Sequence, residues 1–251
     1  MISVTLVGSG NVAHHLAKAM DDTSNIAFSN WVVRDTSKVL YETTTPIVTD
    51  FKKIPSTDIV ILAISDDAIS TYSSQIKTLK ALVVHTSGSV NLHDLDKKHR
   101  RGVFYPLQTF SKKRVLDFSK VPICIEALTK QDLQLLKSLS DALGCKSVVI
   151  SSDQRSALHI AAVFVNNFTN QLYRIAHEIS DGSRLDFAIL KPLILETALK
   201  VQDLSPYQAQ TGPALRNDKK TLKRHLKQLD NENHKLIYEL LTKSIQQTHG
   251  R

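Results

Sequence analysis

Two stretches of this 251-residue sequence hold residue types whose spacing suits recognisable chemistry. The first is Val7-Gly8-Ser9-Gly10-Asn11-Val12-Ala13, a GxGxxA run. The β-rich stretch 2–7 precedes it and a helical pattern from about Val12 to Met20 follows. That context is what a dinucleotide-binding turn requires, because the chemistry belongs to the backbone. Gly8 permits the tight turn, Gly10 lets a diphosphate approach the main chain, and Ala13 lets the helix lie close to the strand. The helix N-terminus offers free N–H groups and a partial positive charge, so Gly8, Ser9, Gly10, Asn11 and Val12 are the expected cradle. A glycine turn that binds nothing is the alternative. Cofactor type follows from Val33-Arg34-Asp35 at the end of the second strand. Arg34, with Ser37 and Lys38 behind it, suits the 2′-phosphate of NADP(H). Asp35 keeps NAD as the alternative, since a carboxylate there accepts the ribose 2′-hydroxyl. For Lys38 a plain surface position is the competing reading.

The second stretch is Ser156 to Tyr173, which contains no Asp, Glu, Lys or Arg. A helix without charge over five turns is usually buried on most sides. At ~100° per residue, His159, Asn166, Asn170, Tyr173 and His177 fall on one stripe, with Asn167 to its side. Buried imidazoles and amides need partners, so the stripe faces a ligand cleft, a partner helix or buried water. Reduction of a ketone or imine leaves charge on oxygen or nitrogen, and His159 suits the proton donor. Asn167 suits the group that orients the carbonyl. A polar seam in a helix bundle or dimer interface is the alternative. Ser65 and Thr86 lie just past the carboxyl ends of two strands, where open α/β sheets bind ligands; helix capping and turn formation compete with that role. Gln108 and Thr109 suit a substrate-binding rim. Arg216 suits a substrate carboxylate or an acidic neighbour. His85 ends an apolar strand and reads as core. No cluster has metal spacing.

The elements that must position these residues read as an α/β protein. Strands are expected at 2–7, 28–33, 46–48, 58–64, 81–85, 103–105, 123–126 and 147–150. The continuous apolar run at 58–64 marks a parallel strand buried on both faces. A helix starts at Asp66-Asp67 and runs to about Thr78, and another spans Lys130–Leu143, ended by Gly144. Alternating strand and helix predicts a parallel sheet. After Ser151-Ser152-Asp153 only helices are expected, at about 153–179, 185–202 (with Pro192 inside) and 221–247. The boundary is placed near residue 152, giving a nucleotide-binding domain 1–152 and a helical domain 153–251.

Hydrophobic residues at 42% and charged residues at 22% fit a globular protein and exclude disordered and low-complexity classes. No apolar run approaches the ~20 residues of a membrane helix. A strand directly after Met1 leaves no room for a signal peptide. Cys124 and Cys145 form neither a disulfide framework nor a metal motif. Together these point to a soluble, reducing, cytoplasmic setting. Of the +8 net charge, +5 sits between Arg216 and Arg251. The stretch keeps an apolar period through Leu229, Leu236, Leu240 and Leu241, so a basic amphipathic helix packing into a dimer is expected rather than a nucleic-acid site.

Four motifs in order carry a family likeness: Gly8-x-Gly10-Asn11-Val12-Ala13, Tyr105-Pro106-Leu107-Gln108-Thr109-Phe110-Ser111, His159-x-Ala161-Ala162-x-Phe164-x-x-Asn167-Phe168, and Thr211-Gly212-Pro213-x-x-Arg216-x-Asp218. The chain resembles the Rossmann-like proteins with a DUF2520 C-terminal domain. These are similar in plan to pyrroline-5-carboxylate reductase and to the β-hydroxyacid dehydrogenase and ketopantoate reductase group. The resemblance implies a Rossmann-type sheet joined to an all-α domain of the 6-phosphogluconate dehydrogenase C-terminal type, NADP(H), and a homodimer through the C-terminal helices. It implies an NADPH-dependent reductase of a small ketone, a ketopantoate-like 2-oxo acid or a cyclic imine. One departure stands out. The β-hydroxyacid dehydrogenase group relies on a lysine early in the first helix of its second domain; residues 153–179 contain none, and His159 holds roughly that place. A non-catalytic NADP(H)-binding regulator or scaffold is therefore the alternative.

Overall fold

The computed structural model describes residues 1–50, 54–77 and 80–249. They form two compact units, Met1–Asn167 and the chain from Phe168 onward. The first unit is built on eight strands, β1 (Ile2–Val7), β2 (Ile26–Val32), β3 (Ile47–Val48), β4 (Ile59–Leu62), β5 (Leu82–His85), β6 (Arg100–Pro106), β7 (Ile123–Ala127) and β8 (Ser147–Val149). They lie in one sheet in the order β3-β2-β1-β4-β5-β6-β7-β8. Helices α1 (Asn11–Asp21), α2 (Asp66–Gln75), α3 (Lys130–Ala142) and α4 (Ser152–Ala162) complete the unit.

Period-2 alternation explains the two faces. On β4, Ile59 and Ile61 join a core with Val4 and Leu6 of β1, Leu16 and Met20 of α1, and Leu136 and Leu139 of α3. Val60 and Leu62 point the other way and pack with Val7, Val83 and Ile69 of α2. All four β4 side chains are fully buried, as a central strand covered on both sides requires. Strand order reverses between β1 and β4, and such a switch point opens a crevice at the carboxyl ends of the strands.

The sheet departs from the all-parallel expectation at one place. β6 and β7 pair antiparallel, with Tyr105 opposite Cys124. The connection between them holds only a 3₁₀ turn, Phe118–Lys120, and a parallel pair needs a long crossover. The helix expected to reach Thr78 is described to Gln75; Thr78 lies outside the described residues.

Helices alone follow β8 among the described residues. α4 leads into a π-helical stretch, Val163–Phe168, and then α5 (Thr169–Gly182). The π stretch departs from the 100° step that the expected polar stripe through residues 159–177 assumes. Nor is this helix enclosed within the chain: Ile160, Phe164 and Val165 are exposed. Further on, a 3₁₀ turn at Phe187–Leu190 precedes α6 (Lys191–Asp203), so Pro192 sits in the first helical turn, where its missing N–H costs nothing. After α7 (Pro206–Ala209), the expected helix 221–247 is two helices, α8 (Lys219–Gln228) and α9 (Glu232–His249). Asn231 causes the break: its side chain accepts from the N–H groups of Asn233 (2.9 Å) and His234 (3.2 Å) and starts α9 afresh.

Candidate functional site

A cleft of about 670 Å³ opens in the first unit at the carboxyl ends of β1, β4 and β5. Its floor is the Gly8–Val12 turn. Gly8 has φ +123°, and a Cβ there would stand 2.0 Å from the Ala63 carbonyl oxygen, so only glycine fits. The turn is pinned from behind, since the Gly8 N–H donates to the Val32 carbonyl (2.9 Å) and the buried Trp31 indole N–H donates to the Gly8 carbonyl (2.7 Å). His14 adds a brace. It accepts from the Leu40 N–H at Nε2 (3.2 Å), which leaves Nδ1–H to donate to the Gly10 carbonyl (3.1 Å). Burial holds His14 below the ordinary imidazole range, which keeps this neutral arrangement. By contrast, a Cβ at Gly10 would meet nothing within 4 Å. Gly10 is also the N-cap of α1 and makes no side-chain cap. Space and uncapped N–H groups therefore coincide at the helix start, which fits a bound diphosphate.

The cofactor-type residues separate. Arg34 is exposed, lines the cleft, and has no hydrogen-bond or ion-pair partner among the described residues. The Asp35 carboxylate is already engaged, accepting from Ser37 N–H (3.0 Å) and Ser37 hydroxyl (2.7 Å). Those hydrogen bonds hold Asp35 below the usual carboxylate range. Ser37 is thus bound in the turn, and neither it nor Lys38 lines the cleft. Lys38 lends its carbonyl to the Lys112 ammonium (3.2 Å).

At the far end of the cleft stands a pair of side chains. Tyr105, at the end of β6, meets Nδ1 of His159 on α4 through its hydroxyl (3.0 Å). A Cβ at Gly88 would lie 2.5 Å from that same Nδ1, so Gly88 leaves room for the ring. The first turn of α4 is clamped to the sheet. Ser151 and Gln154 form a capping box. The Ser152 N–H and hydroxyl both donate to Glu126 on β7 (3.0 and 2.8 Å), and the fully buried Arg155 donates to Glu126 (2.5 Å) and to the Val90 carbonyl. One turn later the same helix face delivers His159. Burial raises Tyr105 above the ordinary phenol range. Behind the pair, burial and then the Arg155 charge push His85 down to about 3, and the ring is fully buried, as its reading as core expects.

Gly8, Ser9, Gly10, Asn11, Val12, Arg34, Ser65, Thr86, Gln108 and His159 all line this cleft. The Asn11 amide is spent on holding the rim: it donates to the Phe110 carbonyl (3.0 Å). Thr109 is exposed and outside the lining, its N–H bonded to the Gln108 side chain (2.8 Å). Asn167 is exposed and also outside it. Arg216 is exposed in the second unit near Asp218. The Asp218 carboxyl is held low by its cap on Thr221, and Arg216 adds to this. Tyr105 is the group that motif reading passed over, although Tyr105-Pro106 belongs to a quoted motif. No group of residues with metal-holding geometry exists among the described residues.

Comparison with known proteins agrees with this architecture. The family described as a domain of unknown function, DUF2520, matches residues 121–245. A Bacteroides fragilis protein named as a candidate NADP oxidoreductase is 35% identical, with 98% of each chain covered and a TM-score of 0.87. A Thermotoga maritima protein is 18% identical, with 98% of each chain covered and a TM-score of 0.73. The pyrroline carboxylate reductase of Plasmodium falciparum, solved with NADP bound, is 10% identical over 98% of this chain and 99% of its own, with a TM-score of 0.64. No curated protein matches. With a glycine turn at the switch point of a Rossmann-type sheet and a 35% identical relative matched end to end, the chain belongs to the DUF2520 family.

Proposed function

We propose that this protein is an NADP(H)-dependent reductase of a small ketone, 2-oxo acid or cyclic imine. The observation that carries the reading is one cleft with Arg34, which has no partner among the described residues, an open Gly10 turn and the His159–Tyr105 pair on its walls. The main-chain N–H groups at the start of α1 would hold the diphosphate, and Arg34 the 2′-phosphate. NADPH, when bound, supplies a hydride. His159 would hydrogen-bond the substrate oxygen or nitrogen where charge develops, with Gln108 orienting the substrate and Ser65 and Thr86 bordering the nicotinamide. The names of the Bacteroides and Plasmodium proteins support the cofactor. The occupied carboxylate of Asp35 favours NADP over NAD.

The same reading includes a homodimer. Helix α6 has no buried residue, and Leu193, Leu195 and Leu199 on it are all exposed. Isolated apolar helices gain most of their stability from packing, so a second copy covering these side chains accounts for them. Cys124 and Cys145 are buried free thiols, in keeping with a reducing compartment.

The test is a titration with NADPH and NADH followed by a panel of 2-oxo acids and cyclic imines, ketopantoate first. Gly10→Val is the control, because its side chain meets no protein atom yet fills the space a diphosphate would need. It should leave the melting temperature unchanged and weaken NADPH binding at least about tenfold, or 1.4 kcal/mol. Well-folded protein that binds no pyridine dinucleotide would sink the proposal. Binding without turnover of any carbonyl or imine would favour the regulator.

A further inference from the structure

His159 has two ring nitrogens, and only one can act on a substrate. Its Nδ1 lies 3.0 Å from the Tyr105 hydroxyl, and its Nδ1–Cγ edge rests against Gly88. The direction of the hydrogen bond follows from accounting for the phenol proton. Tyr105 is 9% exposed, and no other acceptor for its O–H exists among the described residues. If the phenol oxygen accepted from Nδ1–H, its own O–H would have no protein acceptor among the described residues, whereas donation to Nδ1 satisfies both groups at once. Tyr105 also keeps its proton, because burial, Cys124 on β7 and Asp66 at the start of α2 all raise it, while Arg155 on α4 opposes them. Tyr105 therefore donates and Nδ1 accepts. The proton of the neutral imidazole is then on Nε2, across the ring from both Tyr105 and Gly88.

We infer that Tyr105 is the positioning residue of this site: by donating to Nδ1 it fixes His159 in the Nε2–H tautomer and turns that N–H into the cleft, where it donates a hydrogen bond to a carbonyl oxygen or imine nitrogen of the substrate and stabilises the charge that develops there. Gly88 is part of the device, since a side chain there would push the ring off its seat. The inference rests on the proposed reductase reading for its consequence, but not for its geometry.

The experiment separates the two. In the ¹⁵N NMR spectrum of the full-length protein at pH 8, His159 should show a protonated Nε2 and an unprotonated Nδ1. Tyr105→Phe removes only the hydroxyl and should let the two tautomers mix. Gly88→Ala should do the same while Tyr105 remains. NADPH affinity should change less than twofold in both. With a substrate in hand, Tyr105→Phe should lower kcat at least tenfold with KM for NADPH unchanged. A protonated Nδ1 in the parent protein, or a tautomer that persists in Tyr105→Phe, overturns the inference whatever the enzyme does. Should no substrate turn over, the NMR result still decides the tautomer, and only the reductase reading fails.

Discussion

In the unit formed by residues 1–167, Val4, Leu6, Ile59, Ile61, Leu82 and Phe104 have no exposed surface. From Phe168 onward, the buried hydrophobic side chains among the described residues are Ile175, Ala214 and Leu222. Leu193, Leu195, Leu199, Leu236 and Leu240 there are each more than half exposed. The two regions have similar raw material and different means of hiding it. A central strand buries both faces as soon as helices cover the sheet. A helix with leucines on several sides needs neighbours all round it, and one chain does not provide them. Each such leucine, fully buried by a second copy, contributes roughly 1.5–3 kcal/mol. The cleft is thus built in the unit that carries its own core, while the helices leave exposed the leucines that the proposed dimer would cover.

That contrast can be broken at its strongest point by Arg155→Met. The substitution leaves Glu126 without its cation and removes one of the ties that hold the first turn of α4 to the sheet. Losing one partner of a buried pair costs roughly 3–5 kcal/mol, so urea unfolding at pH 7.5 should show a drop of that size. A loss under about 1 kcal/mol would mean that the clamp is not what seats α4. The next effect is set by pH. His85 stays neutral in the folded protein down to about 3, whereas the unfolded chain protonates it near 6.5. The unfolded state binds the extra proton, so stability falls as pH drops through about 6.5 toward 3. Between pH 7.5 and 5 the loss from His85 is about 2 kcal/mol. His14, also lowered, acts in the same direction. A His85→Phe variant should show a visibly flatter stability profile over this range, and an unchanged slope would remove His85 as its source. The smallest effect on folding belongs to the second unit. Leu195→Lys on α6 should change the stability of the dissociated chain by less than about 0.5 kcal/mol. If the proposed dimer forms through α6, equilibrium sedimentation should nevertheless find the parent dimeric and the variant monomeric. If the variant still dimerises, α6 is not the interface.

Much of the glycine-turn end of the cleft was readable in advance, because its backbone depends on neighbours in sequence. Gly8 through Ala13 set the turn and the helix start by themselves, and Arg34 sits where its place after β2 put it. The alternation along β4 announced a strand with two buried faces. Other readings failed for local reasons that spacing does not reveal. Asp35 and Ser37 satisfy each other in a turn rather than facing the cleft. The π stretch at Val163–Phe168 departs from the even helical step that the expected stripe assumes. Asn231 restarts a helix through an apolar pattern that reads straight across it.

Backbone conformation and face periodicity are properties of short segments, so the residues at those positions settle them: the glycine turn, the covered sheet and the apolar helices were written in the sequence. The far end of the cleft was not. Tyr105 and His159 are 54 residues apart, and they meet because β6 pairs with β7 in the sheet and α4 is tied to Glu126 of β7 through Ser152 and Arg155. Which nitrogen of His159 keeps its proton depends on a hydroxyl from another strand and on the missing side chain at Gly88, and only the folded chain brings the three together.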